Sequence, residues 1–107
     1  MQIFIQVINE TIPNNLRQLL RRRILKLETY GTTIIAADVT LKKDSDDKEI
    51  GYHAEIRLFI KGYDLFGKLK AGDFKTAMNI VIESLRKRLR KIKTGKLLSR
   101  RKQKAIF

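Results

Sequence analysis

Apolar and polar residues alternate from position 2 to position 7, with Ile3, Ile5 and Val7 on one side. A period of two predicts a short, half-buried strand. A turn is expected around Asn9–Thr11, and Pro13 fits the first turn of a helix, where its missing N–H costs nothing. The period then changes. Leu16, Leu19, Leu20, Ile24 and Leu27 fall on one stripe at 3.6 spacing, predicting a helix to about Glu28 with Gly31 as its stop signal. Arg17 and Arg21 flank one side of that stripe, Arg22 and Lys26 the other, and Arg23 points along the stripe itself.

Alternation returns over 33–43, with Ile35, Ala37, Val39 and Leu41 toward a core. The acidic stretch Asp44–Glu49 predicts a hairpin loop. A third strand is expected over Ile50–Lys61, burying Tyr52, Ala54, Ile56, Leu58 and Ile60. Gly62-Tyr63 puts glycine at the first central position of a two-residue turn, as a type II′ hairpin requires. A fourth strand then runs to about Lys70 with Leu65, Gly67 and Leu69 facing in. Asp73 is a suitable N-cap for a last helix reaching Lys93. Its apolar stripe is Phe74, Ala77, Met78, Val81, Leu85, Leu89 and Ile92, with Gly95 as terminator. The predicted order is β-α-β-β-β-α. Because each strand alternates, the fold class is α+β: a two-layer sandwich, a four-stranded sheet with two helices packed on one face.

The 107 residues suit one core, placed in residues 1–93. Residues 94–107 are expected to form a basic, mobile tail. Charge changes this picture most. The net charge is +13, and residues 73–107 hold 12 bases against 2 acids, whereas residues 1–72 hold 12 against 9. Between Arg86 and Lys104 stand eleven Lys/Arg and no acid. Favourable placement at a helix C-terminus accounts for two or three such charges, at about 0.3–1 kcal/mol each. The rest would repel one another unless a polyanion met them.

Other chemistry is thin. There is no cysteine, so disulfides and thiol catalysis are excluded. His53 is the only histidine, on the outer sheet face, with no second His or Cys for a metal site and no nucleophile partner. It reads as a surface residue. Asp44, Asp46, Asp47 and Glu49 lack the glycine and terminal glutamate of a calcium loop, so a solvated acidic turn is expected. No cofactor, metal or small-molecule substrate is expected, and no enzymatic activity. No apolar run reaches the roughly 20 residues that span a bilayer. The opening MQIFIQV has no basic segment before its apolar part, so a cytoplasmic protein is expected. Arg23 has two readings, a stem snorkelling over the core or a direct phosphate contact. Phe4, Phe59 and Phe66 fall on the outer sheet face, and the two-residue turn would oppose Phe59 and Phe66 directly. They read as a stabilising aromatic pair, with base stacking or weak self-association through Phe59 and Phe66 as the functional alternatives.

The element order and several local patterns resemble the ribosome hibernation promoting factors, also called ribosome-associated inhibitor A or sigma-factor modulation proteins. MQIFIQV resembles that family's first strand. LRQLLRRRILKLE, ending in K-L-E, is similar to its first helix, and His53-Ala54-Glu55 with the turn at Gly62 to its third strand and hairpin. Asp73-Phe74 through Lys93 is similar to its last helix and basic continuation. The resemblance covers about residues 1–93, and no single motif carries it alone. It implies a translation inhibitor on the small ribosomal subunit, binding rRNA in the channel of messenger RNA and tRNA during stationary phase or stress. It also implies an RNA-binding surface from Arg23 and Lys26 on the first helix and Lys87, Arg90, Lys91 and Lys93 on the last. Arg22 and Arg86 adjoin these positions and complete the candidate set.

Departures are Tyr63 for the second glycine of the family's turn, Lys75 for the tyrosine of its last-helix motif, and Arg86 at a commonly acidic or small position. The long form's C-terminal dimerisation domain is not expected in this chain. Two other functions compete. One is a double-stranded-RNA-binding module, since three strands before a basic helix occur there too, although such domains begin with a helix. The other is a protein-interaction or membrane-surface domain using the tail with its apolar end Ala105-Ile106-Phe107; no membrane partner is expected.

Overall fold

The computed structural model describes residues 1–30 and 33–93, with the side chains of 29, 30, 92 and 93 outside the described set. The expected stop at Gly31, the contribution of Ile92, the terminator Gly95 and the tail 94–107 all lie outside the described residues. The elements are β1 (Gln2–Ile8), α1 (Asn14–Leu25), a 3-10 segment (Lys26–Tyr30), β2 (Ile34–Lys43), β3 (Tyr52–Ile60), β4 (Tyr63–Ala71) and α2 (Phe74–Lys93). They make the α+β two-layer sandwich in the order β-α-β-β-β-α.

The strands lie in the order β1-β2-β3-β4. β1 and β2 run parallel, which the α1 crossover requires, and the other neighbours are antiparallel hairpins. Alternation gives the sheet one core face, where Ala37, Val39 and Leu41 of β2 meet Ala54, Ile56 and Leu58 of β3. Leu20, Ile24 and Leu27 of the α1 side and Ala77, Met78, Val81, Leu85 and Leu89 of α2 close that face. Each fully buried Val, Leu, Ile or Met side chain contributes about 1.5–3 kcal/mol. Among the described residues no polar or charged residue is buried.

Both helix starts have local causes. The Asp73 carboxylate accepts the Thr76 N–H at 2.7 Å, capping α2. Phe74 anchors that first turn edge-on against Tyr52, ring centroids 4.8 Å apart. Pro13 stands one position earlier than expected, as the residue before α1, and its carbonyl accepts from Leu16 and Arg17. α1 itself ends at Leu25, and the chain tightens into 3-10 geometry where a longer α-helix was expected.

Three strand expectations need correction. Ile34, not Ile35, faces the core: Ile34 pairs with Ile60 while Ala36 pairs with Phe59, so Ile35 is the extra residue of a β-bulge and is 56% exposed. Ile50 belongs to the loop, and β3 starts at Tyr52. That loop is a built turn, with Asp47 Oδ1 accepting the N–H groups of Glu49 (2.7 Å) and Ile50 (3.2 Å), and Gly51 N–H bonding Asp47 O (2.9 Å). Two of its other acids pair outward, Asp46 with Lys43 (3.3 Å) and Asp44 with Lys42 (3.5 Å).

The β3–β4 turn is the third. Ile60 pairs with Tyr63, so the central residues are Lys61 and Gly62. Glycine takes the second central position with φ +93°, the left-handed conformation a type II turn asks for there. Phe59 therefore opposes Asp64, and Phe66 opposes Arg57. The expected Phe59–Phe66 pair does not form. Arg57 instead lies 5.0 Å from the centroid of the Phe66 ring and 3.4 Å from the Asp64 carboxylate.

Candidate nucleic-acid interface

The helices lie side by side over the sheet, and their exposed facing sides carry the cations. Arg23 sits on the stripe of α1 that turns toward α2. It is only partly buried and lines two neighbouring clefts. The larger cleft, about 620 Å³, is lined by Arg23 with Asn79, Glu83, Ser84, Lys87 and Lys91 of α2. The smaller, about 200 Å³, is lined by Arg23, Lys26 and Leu27 against Ile82, Glu83 and Arg86. Arg23 thus lies between the helices and lines both clefts, the position that either reading of it requires.

Of the eight candidate residues, the two clefts gather five: Arg23, Lys26, Arg86, Lys87 and Lys91. Arg22 and Arg90 are exposed but line neither cleft. Lys93 closes α2 and its side chain is outside the described set.

Two residues that sequence reasoning passed over organise this surface. Glu83 is the single acid of α2. The Arg86 guanidinium grips its carboxylate, Nε lying 3.0 Å from each oxygen. That hydrogen bonding holds the Glu83 carboxyl below the usual range. Partial burial opposes the shift, and the positive charges of Arg86, Lys87 and Arg23 add to it. One carboxylate therefore stands on the border of both clefts and offsets repulsion among three cations. Its spacing, three residues before Arg86 and four before Lys87, is the helix-surface pattern that could have revealed it.

Arg88 is the other. It belongs to the basic run, yet the helical repeat turns it toward the sheet. Its Nη2 donates to the Phe66 carbonyl at 2.6 Å, on the free edge of β4. Burial pulls its pKa down, and its Nε is enclosed with no hydrogen-bond partner among the described residues. Gly67 makes room for this: a Cβ there would stand 3.0 Å from Val81 Cγ1 and 3.3 Å from Arg88 Nη2. Arg88 thus anchors α2 to β4.

Charge is also graded along α2. The acidic loop sits beside its N-terminal end, where Asp44 reaches Lys70 at 3.9 Å. Lys87 and Lys91 lie roughly four to five turns away, about 20–25 Å at 1.5 Å per residue. The cleft cations are thereby kept apart from the main group of carboxylates. His53 lies on the outer face as expected, but its side chain is only 15% exposed, so it is less a surface residue than its position implied. Its Nε2 is 3.5 Å from Glu55. Among the described residues no helix is long and apolar enough to cross a membrane.

Residues 3–96 match the family model described as Sigma 54 modulation protein / S30EA ribosomal protein. Solved structures share the fold. The Thermus thermophilus Protein Y N-terminal domain aligns with a TM-score of 0.72 at 19% identity, covering 86% of this chain and 99% of that one. A ribosomal subunit interface protein from Coxiella burnetii aligns with a TM-score of 0.70 at 14% identity, covering 88% and 99%. No curated protein matches the chain in sequence.

Proposed function

The chain belongs to the Sigma 54 modulation protein / S30EA ribosomal protein family, and from that membership we propose that it is a ribosome-associated translation inhibitor. In this reading it is a cytoplasmic hibernation factor of stationary phase or stress. It binds rRNA of the small subunit in the channel used by messenger RNA and tRNA. It performs no chemistry and needs no cofactor. The observation that carries the reading is the convergence of bases from both helices on one pair of clefts, within the region the family model matches.

The proposed contacts are Arg22, Arg23 and Lys26 from α1 and Arg86, Lys87, Arg90, Lys91 and Lys93 from α2. Affinity comes from phosphate neutralisation and counterion release, which do not depend on base identity. Selectivity comes from shape, because two helices at fixed separation suit only backbone strands that approach each other at a matching distance. Arg23 is central to this, since it lines both clefts and a guanidinium can donate to two phosphates at once.

Lys87→Glu with Lys91→Glu should abolish co-sedimentation with small ribosomal subunits at moderate salt, while the far-ultraviolet circular dichroism stays that of the native chain. Both positions are exposed, so folding should be unaffected. Undiminished co-sedimentation of the double variant would sink the proposal. Binding to plain duplex RNA as tightly as to subunits would favour the double-stranded-RNA module instead.

A further inference from the structure

Among the described residues no helix lies over the outer face of the sheet, and its side chains form a grid of four rows. From β1 to β4 these read Gln2–Ala36–Phe59–Asp64, Phe4–Asp38–Arg57–Phe66, Gln6–Thr40–Glu55–Lys68 and Ile8–Lys42–His53–Lys70. Lys42, Arg57, Lys68 and Lys70 stand there against Asp38, Glu55 and Asp64, which is close to neutral for a chain of net charge +13. Phe4 is 55% exposed and Phe66 37%. Asp38 is exposed and makes no ion pair among the described residues, because Arg57, its cross-strand neighbour, turns to Asp64 and Phe66.

We propose that this face is a self-complementary contact for a second copy of the chain. Consider a two-fold axis in the interface, parallel to the strands and midway between β2 and β3. It lays β1 over the second copy's β4 and β2 over its β3, row on row. Phe4 then meets the second copy's Phe66, and Asp38 meets its Arg57. Ala36 meets Phe59, Gln2 meets Asp64, Gln6 meets Lys68, and Thr40 meets Glu55. Six of the eight distinct pairings are apolar, opposite in charge, or hydrogen-bonding. Lys42 on His53 and Ile8 on Lys70 are the exceptions, and both fall in the row at one end. Face-to-face sheets pack with their strands nearly aligned, which this axis allows.

Single-stranded RNA suits the face less well. Three carboxylates, Asp38, Glu55 and Asp64, would confront its phosphates. The patch measures about 23 Å along the strands and about 19 Å across them. That is about 450 Å² per copy, below the roughly 800 Å² of a standard interface, so the dimer is weak and transient. It leaves both helical faces outward, and the inference stands independently of the RNA-binding proposal.

Sedimentation equilibrium of the full chain, from micromolar to millimolar, tests it. The weight-average mass should rise from 12.5 kDa toward twice that value. Arg57→Asp places Asp38 against Asp at position 57, and Asp38→Arg places Arg at position 38 against Arg57, so each variant alone should remain monomeric. Mixed one to one, they become complementary and should associate as strongly as the parent chain. Phe4→Ser, at an exposed position with no packing role, should also abolish association. A parent chain that stays monomeric throughout overturns the proposal. So does association unaffected by the variants, or a folded mixture that stays monomeric. Binding of a single-stranded oligouridine that Phe4→Ser with Phe66→Ser removes would assign the face to RNA and overturn it equally.

Discussion

The helical side and the open sheet side handle charge in opposite ways. On the helical side Arg23, Lys26, Arg86, Lys87 and Lys91 surround a single carboxylate, Glu83. On the sheet side four cations stand among three carboxylates, and Arg57 satisfies both Asp64 and the Phe66 ring. A surface of like charges is incomplete until an anion arrives. A surface of mixed charges can be completed by its own copy. Both grow from one sandwich, so the difference lies in which side chains the strand and helix periods turn outward, not in the fold.

The largest expected effect joins the two sides. Gly67 lies on the core face of β4 directly under α2, with Val81 and Arg88 above it. Gly67→Val should force α2 away from β4 and weaken the Arg88–Phe66 bond, costing about 1–3 kcal/mol. Chemical denaturation measures this, and an unchanged midpoint would mean that α2 is not held by close approach to β4.

That glycine also marks how far the sequence could be read. The strands and helices were legible because alternation and the 3.6 stripe each bury one face. The turn register was not. Pairing Ile60 with Tyr63, or with Leu65, buries the same side of β4, because the two registers differ by two residues. Hydrophobic pattern cannot choose between them, and glycine suits either central position of such a turn. The bulge at Ile35 was hidden for a related reason: Ile34 and Ile35 are both apolar, so either could begin the buried set. In the candidate site the cations were legible as a charge run. Arg88 was not, since its role depends on a contact to the β4 edge, whereas Glu83 could have been found from its spacing to Arg86 and Lys87.

A smaller effect separates the faces directly. If Lys87 contacts a phosphate, Lys87→Gln should reduce the slope of log affinity against log salt by roughly 0.7–0.9. Lys68→Gln removes the same charge from the sheet side and should leave that slope unchanged, since Lys68 lies in an outer-face row. Binding to small subunits across a salt series provides the comparison. Equal slope changes would show that net charge alone governs binding and that the clefts have no special standing.

The smallest effect concerns Glu83. Its carboxylate has two opposed consequences: it orders Arg86 and relieves repulsion with Lys87 and Arg23, and it places a negative charge where a phosphate would come. Because its pKa is lowered in the folded chain, the stability it adds is present above the ordinary carboxylate pKa and is lost as pH falls through the lowered value. Glu83→Gln should therefore lower the melting temperature slightly at neutral pH, with the difference closing on acidification. The same substitution should tighten RNA binding, because it removes an anion from the border of both clefts. Asp64→Asn on the sheet side also frees an arginine, Arg57, but should leave RNA binding unaltered. Weaker RNA binding by Glu83→Gln would mean that ordering of Arg86 outweighs phosphate repulsion, and the helical side would then be a preformed site needing its internal anion.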